Sequence, residues 1–317
     1  MQTYRLFGLT FASDFSFNYQ LMPGDGEPNF TFTCVSRPPL ELDWQNLSPF
    51  YTSLYFDDRG ESLLKVYRCA GCDVMRCMNA ADFFLFSDRI VCHPQSDMTS
   101  MIEANFLSAV MAFWLERAGT LALHASAVAV NDAAIVFLSN SGSGKSGLAA
   151  ALIQAGHALV SDDIVPLTSS PTGWFAQPGF ATMRMWPDTA KFFLGSYESL
   201  PLVHPAIDKR RVAIGASGWG KFCPNPQKIS CLFVPELRNA DALGDEIIIT
   251  PIAPRDAVIE LVRYSFAARL MQNPEFQPRR MDHLTKIALQ VPMYRLSYPS
   301  GFAQLARVCV EIQKRCG

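Results

Sequence analysis

Residues 124–163 read HASAVAVNDAAIVFLSNSGSGKSGLAAALIQAGHALVSDD, and this stretch decides the fold. At its centre, Ser139-Asn140-Ser141-Gly142-Ser143-Gly144-Lys145-Ser146 has the make-up of a phosphate-binding loop. Such a loop needs small residues because its backbone N–H groups must point inward and approach phosphate oxygens closely, and Gly142 and Gly144 supply that freedom. The apolar run 133–138 before it reads as a strand, and 145–155 after it reads as a helix stopped by Gly156. That helix turns the positive end of its dipole toward the loop. Lys145 adds a point charge for the β/γ-phosphates, and the Ser146 hydroxyl suits a magnesium ligand set. Asn140 to Gly147 is therefore the candidate nucleotide-binding segment. The usual pattern begins with glycine where this chain has Ser139, a substitution that strains the backbone if that position needs positive φ. The plain alternative is a Ser/Gly-rich surface turn.

The next apolar run, 158–160, ends at Ser161-Asp162-Asp163. Asp162 and Asp163 follow Lys145 by 17 and 18 residues, room for one helix and a return strand, so a parallel connection sets them beside the loop. Two adjacent carboxylates can divide the work there. One would hold the metal, directly or through water, and the other would accept the proton of an attacking hydroxyl. The alternative is an Asp-Asp turn that merely caps the strand. Upstream, Asn131-Asp132 between alternating apolar residues predicts a two-residue hairpin in which Val130 pairs with Ala133. Counting back sets His124 opposite Ser139, at the loop's mouth, where it could assist proton transfer or contact a phosphate. A strand histidine can equally be an ordinary core residue. Arg184 in MRMW, and Lys209 and Arg210 in the run DKRR, are candidate cations for a phosphoryl group, unless the run is a solvated face.

The remaining sequence sets the bounds. A chain of 317 residues, 49% hydrophobic and 18% charged, with a net charge of −2, gives no electrostatic reason to expect nucleic acid or an anionic membrane as partner. The N-terminus lacks a basic start followed by an apolar run, and the most apolar window, 104–115, is too short for a membrane span, so a cytoplasmic protein is expected. Nine cysteines, an odd number, point to free thiols, with Cys69, Cys72, Cys77 and Cys92 as a zinc alternative. The Ala70-Gly71 turn argues that Cys69 and Cys72 merely flank a hairpin. Residues 1–98 carry short aromatic and β-branched runs and read as a small β-rich module for recognition or oligomerisation. Residues 99–119 read as a linking helix packed on the C-terminal domain, with Ile102, Phe106, Val110, Phe113 and Trp114 at helical spacing. Strands alternate with helices over 120–317, which makes the fold class α/β with a P-loop domain.

The order His124, loop, GHALVSDD resembles the kinase domain of bacterial HPr kinase/phosphorylase, whose pattern aligns without a gap from His124 to Asp163. The starts YRLFGLTFASDF and LHASAV and the segment PGFATMRMWPD are more similar to HPr-kinase-like proteins of ribosomal peptide clusters, including lasso peptide precursor kinases. The resemblance implies a fold related to phosphoenolpyruvate carboxykinase. It also implies ATP and Mg2+ as cofactors and a peptide or protein substrate bearing an acceptor serine. By position it assigns Lys145 and Ser146 to phosphate and magnesium, Asp162 and Asp163 to base and metal, and His124 to the site histidine. Ser139, Gly147 and Ala125 stand where the HPr enzymes have Gly, Glu and Gly, and their downstream dephosphorylation signature has no counterpart. A small-molecule kinase of the shikimate type, or a nucleotide-binding scaffold without catalysis, are the alternatives.

Overall fold

The computed structural model describes residues 1–57, 59–140, 144–204, 207–216, 218–238, 244–266 and 277–316. They form two compact units, Met1–Trp114 and Leu115–Gly317.

In the first unit, nine strands make one sheet: β1 (Gln2–Leu6), β2 (Leu9–Ser13), β3 (Met22–Pro23), β4 (Phe30–Cys34), β5 (Tyr51–Thr52), β6 (Leu64–Cys69), β7 (Cys72–Cys77), β8 (Ala81–Leu85) and β9 (Arg89–Pro94). Their spatial order is β3-β1-β2-β4-β9-β8-β7-β6-β5. The aromatic residues that mark these runs in the sequence form the core, with Phe11 and Phe30 stacked at 5.2 Å. A helical segment follows: α1 (Thr99–Asn105), one π-wound turn over Phe106–Val110, and α2 (Met111–Arg117). Its apolar stripe was expected on the C-terminal domain, but its rings pack on this sheet. Phe106 stacks on Phe32 at 3.9 Å and Trp114 lies 4.6 Å from Phe30. The sheet's own aromatic face explains this, because it offers rings for close offset packing. Cys69 and Cys72 face each other across the turn joining β6 to β7. No group of three or more metal-ligating side chains occurs among the described residues.

The second unit contains β10 (Leu121–Leu123), β11 (Ala125–Val130), β12 (Ala133–Leu138), α3 (Lys145–Gln154), β13 (Ala158–Asp162), β14 (Val165–Ser170), β15 (Gly173–Ala176), β16 (Thr182–Met185), α4 (Pro187–Leu194), β17 (Leu202–His204), β18 (Ile207–Ala213), β19 (Lys221–Phe222), β20 (Gln227–Arg238), β21 (Ile248–Pro251), α5 (Pro254–Arg263), α6 (Gln277–Gln290), β22 (Met293–Pro299) and α7 (Leu305–Cys316). The main sheet runs β10-β14-β15-β20-β12-β11-β13-β19, with β22 joining β20 to β21, and β16-β18-β17 form a small separate sheet. Strand alternation sends Ile135 and Phe137 of β12 to one core, shared with α3 and α7, and Ala134, Val136 and Leu138 to the other, shared with α5 and α6. A central strand buried on both faces needs the unbroken apolar run AAIVFL.

The chain is thus mixed α/β, and β12, β20 and β22 are parallel neighbours whose carboxyl ends share one edge. The odd cysteine count pointed to free thiols throughout. The structure instead bonds Cys231 of β20 to Cys316, the last residue of α7, because α7 packs into the core that β20 lines. No described helix is long and apolar enough to cross a membrane.

Candidate active site

The site grows from the β11–β12 hairpin. Asn131 and Asp132 adopt φ of 48° and 62°, the left-handed pair that a two-residue turn matched to strand twist demands. The register follows: Val130 faces Ala133 and Ala125 faces Leu138, which leaves His124 one step beyond, level with Ser139. At His124 the chain passes from β10, which pairs with β14, to β11, which pairs with β12 and β13. The His124 N–H is satisfied by the Tyr264 carbonyl at 2.7 Å. β13 runs parallel to β12 but lies on the far side of β11, and Asp162 pairs with Ser126. The acidic pair therefore reaches the loop's edge across β11, the hairpin strand that begins just after His124.

Four side chains meet there. Lys145, only 4% exposed, lies with its Nζ 3.1 Å from His124 Nε2. His124 Nδ1 lies 3.7 Å from Asp163 Oδ1, and the Arg184 guanidinium holds Asp163 Oδ2 at 2.7 Å. An ammonium can only donate, so His124 Nε2 accepts and its proton sits on Nδ1, facing Asp163. Burial pushes the imidazole pKa below its ordinary value and the nearby Lys145 and Lys209 push it further, against the pull of Asp163 and Asp162, which keeps the ring neutral at pH 7. Burial also lowers the Lys145 pKa, opposed by the two aspartates. Burial alone would raise the Asp163 carboxyl, but Arg184, His124, Lys145 and Lys209 outweigh it and hold it far below the usual carboxylate range.

Asp162 is held differently. The Ser126 hydroxyl donates to its Oδ1 at 2.5 Å and the Arg184 backbone N–H to its Oδ2 at 2.8 Å. Arg184 thus grips both aspartates, one with its backbone and one with its side chain. The Asp163 backbone turns through φ 70°, an uncommon conformation for a residue other than glycine, which sends two successive carboxylates to different partners. Ser139 is not among the positive-φ residues, so serine stands there without the strain that a left-handed position would impose.

Beside this cluster lies a cleft of about 220 Å³ at the N-terminus of α3. Gly144, Lys145, Ser146 and Gly147 line it, together with Lys209 and Tyr298. Gly144 has φ 90° and caps α3 with no side-chain hydrogen bond, which leaves the first-turn N–H groups for a ligand. Asn140 is exposed at the start of the loop, and Ser141, Gly142 and Ser143 lie outside the described residues. The run DKRR is strand β18, so its side chains alternate. Lys209 faces the cleft, 5.3 Å from the Trp186 ring. Arg210 turns away to Asp208 at 2.6 Å and the Leu200 carbonyl. Sequence reasoning did not find Ser126 or Tyr298. A lone hydroxyl in the otherwise apolar run of β11 was the only signal for Ser126.

No family model matches the chain, and no curated protein matches its sequence significantly. Among solved structures, the chain is similar to the Hpr(Ser) kinase/phosphatase from Coxiella burnetii, with 14% identity and a TM-score of 0.31 over 61% of this chain and 95% of that one.

Proposed function

We propose that this protein is an ATP- and Mg2+-dependent kinase that phosphorylates a serine hydroxyl of a peptide or protein, with a ribosomally made, lasso-type precursor peptide as substrate. One observation carries the reading: a Lys145–His124–Asp163–Arg184 chain, with Asp162 held by the Arg184 backbone, meets through Lys145 a cleft at a helix N-terminus. The residues fit a nucleotide triphosphate with its metal. Gly144 brings the backbone close without a side chain, Lys145 and Lys209 supply cations, and a hydroxyl (Ser146) and a firmly ionised carboxylate (Asp163) supply hard oxygen ligands. When bound, the metal neutralises phosphate charge as it develops. Asp162 accepts the proton of the substrate hydroxyl, and its two hydrogen bonds, from Ser126 and from Arg184, fix the carboxylate in place. Neutral His124 orients Lys145 without competing for the anion.

The test is to incubate the protein with labelled ATP, magnesium and a ribosomally made precursor peptide of the lasso type, and to follow the gain of phosphate by mass. Lys145→Ala and Asp162→Asn should each reduce transfer by about 10²–10³-fold or more. Full transfer by either variant would sink the site assignment. Nucleotide binding with no transfer to any peptide would favour a scaffold.

A further inference from the structure

Tyr298 ends in a buried hydroxyl for which the described residues offer no partner. The side chain sits at the carboxyl end of β22, paired with Leu237 of β20, on the sheet edge where open α/β folds bind ligands. Its ring is packed in the core with Phe233, Leu296 and Leu305, and the residue is 1% exposed. Yet the phenol oxygen has no hydrogen-bond partner among the described residues, although a buried hydroxyl ordinarily finds one. It points toward the N-terminus of α3, where a Cβ added to Gly144 would lie only 2.9 Å from it. It also lines the cleft together with Lys145, Ser146 and Lys209. Burial raises the phenol's pKa, so it stays a donor at any physiological pH.

We infer that Tyr298 is an additional phosphate-binding residue, whose hydroxyl donates a hydrogen bond to a phosphate oxygen of the nucleotide held at the α3 N-terminus. This rests on the proposed reading of the cleft as a nucleotide site. The unsatisfied hydroxyl costs stability in the ligand-free protein and gains its partner on binding, so its removal has opposite effects on the two states.

The experiment uses the full chain and its Tyr298→Phe variant, which keeps the ring. Calorimetric titration with ATP and with inorganic tripolyphosphate measures binding, and differential scanning calorimetry measures the ligand-free Tm. Affinity for both ligands should fall by about tenfold or more, the size expected for a hydrogen bond to a charged group, while the ligand-free Tm stays level or rises. Wild-type affinity in the variant would overturn the inference and leave the nucleotide reading intact. A ligand-free Tm lowered by several degrees would also overturn it, since the hydroxyl would then have a structural partner. If the wild-type protein binds neither ligand, the nucleotide reading fails and the inference with it.

Discussion

Arg184→Met tests whether the Asp163 ion pair holds the site together. The Arg184 and Asp163 side chains are 12% and 13% exposed, so solvent screens the pair little. Breaking such a pair from one side strands a buried charge, at a cost of about 3–5 kcal/mol. The lower end applies here, because Lys145 and Lys209 still act on the carboxylate. The Arg184 backbone bond to Asp162 survives the substitution, so the loss isolates the side chain. A unit of about 200 residues shifts roughly 2–4 °C per kcal/mol, so ~3 kcal/mol lowers Tm by about 6–12 °C at pH 7.5.

The pH dependence gives the second half of the test. In the wild type the folded pKa of Asp163 lies below its unfolded value. Its contribution is full above the ordinary carboxylate range and is lost as pH falls through the lowered folded pKa. In the variant the carboxyl's pKa rises, and protonation relieves the stranded charge at higher pH. The Tm gap between the two proteins should therefore narrow as pH falls from about 7 to 4. Calorimetry at four or five pH values reads both effects. A variant within 2 °C of wild type at pH 7.5, or a gap that does not change with pH, refutes the ion-pair account.

Two further outcomes are expected. Because the folded state holds His124 below its unfolded pKa of about 6.5, the unfolded chain takes up a proton that the folded chain refuses, and stability falls as pH drops through that value; His124→Gln should flatten the Tm profile between about pH 7 and 5, and an unchanged profile would show that His124 charges freely. The Cys231–Cys316 bond spans 85 residues, for which loop-closure entropy predicts roughly 4.5 kcal/mol of stability; Cys316→Ser should lower Tm by about 9–18 °C, and equal Tm values for the variant and the wild-type protein would mean that the bond does not form in solution.

The parts of this site legible in the sequence are those that local rules determine. A two-residue turn fixes the hairpin register, so the position of His124 beside Ser139 followed from counting. Helix length and the parallel return likewise placed Asp162 and Asp163. What escaped needed distant segments or a face assignment. The run DKRR has no apolar alternation strong enough to mark a strand, so the split between Lys209 and Arg210 was hidden. Arg184 reads as one more cation until β13 is seen beside it, where its two ends hold two aspartates. Cys231 and Cys316 meet only because α7 packs on β20, and no spacing rule could have joined them.

The charge balance also bears on why the aspartates are arranged as they are. Lys145, Arg184 and Lys209 face Asp162 and Asp163, and His124 is neutral, which leaves a single excess cation among the described groups. Arg184 is committed to Asp163, and Lys145 to His124. Lys209 lines the cleft, its ammonium 5.3 Å from the Trp186 ring, where it can meet an anion. On the proposed reading, a triphosphate would bring more negative charge than one lysine and a helix N-terminus can balance, and a divalent ion would share the load. The low pKa of Asp163 then has a use beyond stability. On that same reading, a carboxylate already ionised by its neighbours would need no proton removed before it could hold that ion.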